Sequence, residues 1–165
     1  MRFKALIMIF IPLLSYGQSA NSLLAPSSVS GTIEMPSLVD LSVSSASSDR
    51  IAINTFEDFS NGKTFPSYFK IHVRSNRPWN ISVMANTSNL LSTESMGQKL
   101  PVTLISLKSE ANSDFVSLSQ KPRPFMQNMN NKIENTYSVD LRIDPPLNYY
   151  GGNYDFNIIF IITAL

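Results

Sequence analysis

The 165-residue chain contains no cysteine. That single absence removes thiol nucleophiles, thiolate metal sites, disulfides and redox switching, and with them a lipid-modified amino-terminal cysteine. Histidine and tryptophan each occur once, as His72 and Trp79. One histidine without cysteine is too few ligands for a transition-metal site, so no metal and no cofactor is expected. No G-x-S-x-G elbow supplies a serine for His72, and no glycine-rich loop cradles a phosphate. Long Ala/Leu/Glu/Lys runs are also missing, while serine (25) and asparagine (15) are abundant. That balance favours strands joined by polar turns over helices.

What is present begins with an export signal. Arg2 and Lys4 precede an apolar run from Ala5 to Leu14, and Ser15-Tyr16-Gly17 places small residues where a signal peptidase inspects them. Cleavage is expected before Gln18, with Ala20 as the alternative. A membrane anchor is excluded by length, since ten apolar residues as a helix reach about 15 Å against roughly 30 Å of hydrocarbon. The expected organisation is a signal peptide over 1–17, a loose polar leader over 18–28 and a single domain over 29–165, with no transmembrane segment in the mature chain. Removing Arg2 and Lys4 leaves 11 basic and 12 acidic residues, a net charge of −1. Nothing in that balance draws the protein to nucleic acid. The expected location is the cell surface or medium, or the periplasm.

From Val29 onward, period-2 stretches follow one another at sandwich-like intervals. Val29, Gly31, Ile33 and Met35 alternate first, then Leu38 to Ser44, then Ile51, Ile53 and Thr55. A loop from Glu57 to Thr64 carries the turn pair Asn61-Gly62. The clearest hairpin sets Phe69, Ile71 and Val73 against Trp79, Ile81, Val83 and Ala85, with Ser75 to Pro78 as its turn. Leu100 to Lys108 and Phe115 to Ser119 follow, Pro101 marking an edge or a strand start. Pro122 to Asn135 reads as a long loop, and Tyr137, Val139, Leu141 and Ile143 alternate cleanly up to Pro145-Pro146. One weak helical turn falls around Ser92 to Gly97. The fold class is all-β: an immunoglobulin-like or pilin-like antiparallel β-sandwich of eight or nine strands.

The last fifteen residues are the most telling. After Gly151-Gly152, Tyr154, Phe156, Ile158, Phe160 and Ile162 line one face of a β-prone run, while Ile159 and Ile161 make the second half of the other face apolar too. A strand apolar on both faces needs protein on both sides. The cover comes either from this chain or from a neighbouring molecule. The alternating leader Val29, Gly31, Ile33 and Met35 has the pattern of a strand donated to a neighbour. The same pattern serves as the domain's own first strand, the favoured reading.

Two fragments resemble known surface proteins. Trp79-Asn80-Ile81 opens a strand as the W-x-L motif does in the WxL family of bacterial surface domains. Gly152-Asn153-Tyr154 is similar to that family's G-x-Y turn, and Phe160-Ile161-Ile162 stands where its second W-x-L falls, with Phe in place of Trp. The resemblance implies attachment to a cell-wall or surface component. The chain also resembles pilin-like subunits, whose sandwiches end in an alternating apolar strand after such a turn; that likeness implies neighbouring subunits as partners.

The remaining candidates have plainer readings. Trp79 is in register with Ile81, Val83 and Ala85 and is expected in the core. His72 points outward between Lys70 and Arg74. Glu57 and Asp58 lack the spacing of a calcium loop, and Asp140 and Asp144 read as solubilising. Tyr149, Tyr150 and Tyr154 cluster at the last turn, where Tyr149 and Tyr150 are the candidate interface or saccharide contacts. Asn80-Ile81-Ser82 and Asn86-Thr87-Ser88 match the glycosylation triplet, which matters only in a eukaryotic host. The expected function is a non-catalytic exported surface protein acting in attachment or adhesion; the alternative is a structural subunit of a fimbria-like polymer assembled by strand exchange.

Overall fold

Nearly every stretch that alternates apolar and polar residues runs as a strand, and the buried apolar side chains gather in one core cluster. The computed structural model describes residues 32–45, 50–92, 99–130, 133–145 and 152–165. The chain divides into two units, 1–34 and 35–165, and all described secondary structure lies in the second. In order this comprises β1 (Val39–Ser45), α1 (Phe56–Asn61), β2 (Lys63–Ser75), β3 (Trp79–Ala85), β4 (Asn89–Ser92) and β5 (Lys99–Pro101). A 3-10 turn (Val102–Leu104) leads to β6 (Ile105–Ser109), β7 (Val116–Ser117), β8 (Arg123–Asn128), β9 (Glu134–Ile143), β10 (Tyr154–Asp155) and β11 (Ile158–Ala164). The fold is thus almost entirely β, with 11 strands among the described residues, all paired antiparallel, and one short helix.

Three sheets form, ordered β1-β2-β9-β6-β7, β11-β3-β8 and β10-β4-β5. The first contributes Ile71, Val73, Ile105, Leu107, Val139 and Leu141 to the core; the second contributes Trp79, Ile81, Val83, Ala85, Phe125 and Met126. Rings from these two sheets meet edge-on, Phe69 with Phe160 at 6.0 Å and Trp79 with Tyr137 at 5.9 Å between centroids. Such edge-to-face pairs add roughly 0.5–1.5 kcal/mol beyond the area they bury.

The expected hairpin is not one. β2 pairs with β1 and β9, whereas β3 pairs with β11 and β8, so residues 76–78 carry the chain from one sheet to another. Alternation cannot distinguish the two arrangements, because both point the apolar sides of consecutive strands at one core. Polar contacts between residues far apart in sequence hold the crossing segment. Ser75 N donates to Ile133 O, the Asn76 amide side chain binds Pro36 O and Leu38 N, and Pro78 O accepts from Leu165 N.

Five further expectations are corrected. Residues 32–38 form no strand, and Ile33 and Met35 are 83% and 76% exposed; Val29 and Gly31 lie outside the described residues. The strand expected at Ile51–Thr55 is irregular chain, and the loop expected over Glu57–Thr64 begins as α1. There the Thr55 hydroxyl accepts from Asp58 N at 3.0 Å, capping the helix. The expected loop Pro122–Asn135 contains β8, an edge strand that accommodates Pro124 beside a register shift between Ile81 and Ser82. The final run breaks at Phe156-Asn157 into β10 and β11, which belong to different sheets.

Tyr68 alternates with Phe69, Ile71 and Val73 and by that pattern would share the outward face of His72, yet it is buried. A register shift between Phe65 and Phe69 turns it inward, with Ser67 at φ 50° and its N–H bonded to Asp140 Oδ1 at 2.8 Å. Gly62 has φ 70°, a backbone conformation that favours glycine, and an added Cβ would also displace the Asp144 carboxylate. The expected helical turn around Ser92 to Gly97 lies mostly outside the described residues, Ser92 itself ending β4.

Candidate functional site

The two family-like motifs converge on one strand pair. β3 and β11 run antiparallel with Ile81 opposite Ile162, Val83 opposite Phe160 and Trp79 opposite Ala164. Trp79 is 1% exposed, so the indole is core. Burying ~150–250 Å² of it is worth at most ~4–6 kcal/mol at ~25 cal/mol/Å². Its Nε1 is buried with no hydrogen-bond partner among the described residues. The neighbouring Tyr137 phenol accepts from Asn128 Nδ2 at 3.3 Å, and its pKa lies above the ordinary value because burial disfavours the phenolate. The turn residues Gly152 and Tyr154 fall elsewhere, Tyr154 pairing with Ser92 in the β10-β4-β5 sheet. Sequence order alone carried no sign of that separation.

β11 is the edge strand of its sheet. Tyr154, Phe156, Ile158, Phe160 and Ile162 pack partly buried against the core, as their alternation implies. On the other face Ile159 is half-buried and Ile161 is 37% exposed. β1 runs beside β11, yet β1 pairs only with β2 and β11 only with β3 among the described residues. Two strand edges therefore lie near one another without a ladder joining them. β1 also exposes Val43. An apolar edge strand with unpaired N–H and C=O groups is a template for another strand.

The polar candidates resolve into local pairs. His72 lies beside Glu134, Nε2 to Oε1 at 3.3 Å, with Nδ1 3.1 Å from Thr136 Oγ1, and no serine hydroxyl bonds it among the described residues. Asp58 takes a hydrogen bond and ion pair from Lys63 Nζ at 2.9 Å. That bond, then one from Asn54 N, holds its carboxyl below the usual range. Asp144 pairs with Arg142 at 2.8 Å, raising the guanidinium pKa further, and Arg142 also donates to Asn61 O. No group of three acidic or histidine side chains converges among the described residues. Tyr149 and Tyr150 lie outside them. No described helix is long and apolar enough to cross a membrane.

No protein-family model matches the chain, and no curated protein does. Among solved structures it is similar to the minor tip subunit HdaB of the Hda pilus of E. coli, at 12% identity and a TM-score of 0.39, covering 74% of this chain and 79% of that one. It is similar to a chain of the CsuC-CsuE chaperone-tip adhesion subunit complex of Acinetobacter baumannii, at 12% and 0.41, over 76% of this chain and 40% of that one. A chaperone-usher pilus whose structure reveals the basis of rod uncoiling matches at 12% and 0.43, over 85% and 98%.

Proposed function

We propose that the protein is a non-catalytic, exported structural subunit of a fimbria-like bacterial surface polymer, assembled by strand exchange, its two principal sheets forming a pilin-like sandwich. The observation that carries this reading is the edge strand β11, apolar on both faces, partly exposed at Ile161, and unpaired on its β1 side among the described residues. The leader supplies the complement. Ile33 and Met35 keep an alternating apolar pattern yet are exposed and outside any strand. Val29, Gly31, Ile33 and Met35 of one subunit are the candidate donated strand, and Ile159 and Ile161 of the next are candidates to receive it. Backbone hydrogen bonds would supply affinity, and alternate side chains specificity.

Light scattering on mature 18–165 across a wide concentration range tests this. Oligomers that grow with concentration and resist denaturant are expected. Deleting residues 18–35, which spares the Asn76–Pro36 bond, should leave a folded monomer. An intact chain that stays monomeric throughout, or a truncated chain that simply unfolds, overturns strand exchange. It would leave the self-contained attachment protein, with a cell-wall or surface component as partner.

A further inference from the structure

A second feature lies at the end of β3 and owes nothing to β1 or the leader. Ala85 and Ile158 are the last paired residues of the β3–β11 ladder. The next residue beyond each is an asparagine, Asn86 after β3 and Asn157 before β11, and both are exposed. β4 and β10 bring Asn89, Ser92 and Asp155 to the same place, Asp155 standing opposite Leu91 in register. These residues and Phe156 line a hollow of about 290 Å³. That is near the lower end of the roughly 300–1,000 Å³ usual for small-molecule sites, a size for one or two rings.

The chemistry of the lining narrows the ligand. It offers amides, hydroxyls, one carboxylate, the Phe156 ring and the exposed Leu91 side chain, and no lysine, arginine or histidine among the described residues. An anionic ligand would meet Asp155 without a compensating cation in that lining. A purely apolar one would use Phe156 and Leu91 but leave the amides and Asp155 without a partner. A metal ion would find only one carboxylate. Thr87 Oγ1 donates to Asn89 O at 2.9 Å and Asn89 Nδ2 to Ser88 Oγ at 3.1 Å, holding the Asn89 amide in place. Neutral hydroxyl groups, each donor and acceptor at once, match such a set, while an apolar ring face can rest on Phe156.

We infer that this hollow binds a neutral sugar residue, making the subunit a saccharide-binding one whether or not it polymerises. Saturation-transfer NMR on the full chain tests this with the methyl glycosides of glucose, galactose, mannose and N-acetylglucosamine, and N-acetylneuraminic acid as the anionic control. Transfer is expected to at least one neutral glycoside and not to the anion. Asn157→Ala and Asn86→Ala, 71 positions apart in sequence, should each weaken binding by about tenfold, while Lys70→Ala on β2 leaves it unchanged. Urea midpoints matched to the parent confirm that the variants are folded. Transfer to none of the neutral glycosides overturns the inference, as does preference for N-acetylneuraminic acid or binding that both asparagine variants retain. Oligomer size recorded on the same samples keeps this result separate from strand exchange.

Discussion

β3 and β11 are hydrogen-bonded neighbours, and they are buried in different ways. β3 is mixed in composition yet alternates strictly, its inward residues Trp79, Ile81, Val83 and Ala85 at most 1% exposed. β11 is far more apolar and contains no fully buried residue. The difference is position: β3 has a partner on each side, β11 on one. Hydropathy sets what a strand could bury, and its place in the sheet sets what it does bury. The shortfall on β11 is apolar surface at a sheet edge, the kind of surface with which another strand can pair.

The widest contrast should come from Trp79→Ala, which empties the centre of β3. A loss of about 3–5 kcal/mol is expected in urea unfolding. Trp79→Phe should cost clearly less, because it also removes the unpartnered indole N–H. Comparing matched truncations sharpens the point. Ile81→Ala should destabilise by about 2–5 kcal/mol, against under about 1 kcal/mol for Ile161→Ala. Equal costs would mean that β11 is as enclosed as β3. A charge placed on the open strand separates folding from assembly: Ile161→Lys should hold the unfolding midpoint of the truncated monomer while weakening oligomerisation about tenfold.

The smallest effect lies away from both strands. Asp58 has a lowered pKa in the fold, chiefly through Lys63. Its contribution is therefore present above the ordinary carboxylate range and lost as pH falls through its lowered value. Asp58→Asn should flatten that part of the acid-unfolding curve without touching the pH dependence of oligomerisation. A variant that alters assembly instead would tie α1 to the interface.

The strands around Tyr137–Ile143 and Trp79–Ala85 were legible because a half-buried strand writes its burial as period 2. β8 was not, since Pro122, Pro124 and the asparagines of its surroundings read as loop, and only an edge position with a shifted register tolerates them. α1 escaped notice because six residues leave no helical period to read; its cap, Thr55 with Asp58, was the available signal. Trp79 was correctly placed in the core. The hollow was invisible, because Asn86 and Asn157 are 71 positions apart and come together only through the β3–β11 register.

The sequence by itself determined the all-β character, the inward faces of the central strands and the absence of any thiol. Each is a property of residue types and short-range spacing. Tertiary structure alone decided that residues 76–78 cross between sheets instead of closing a hairpin, that the last run divides between two sheets, and that β11 is an edge. These depend on which strand pairs with which, and an apolar face is satisfied equally well by several partners. Long-range polar contacts accompany the arrangement found, such as Asn76 with Pro36 and Leu165 with Pro78, and no local pattern announces them.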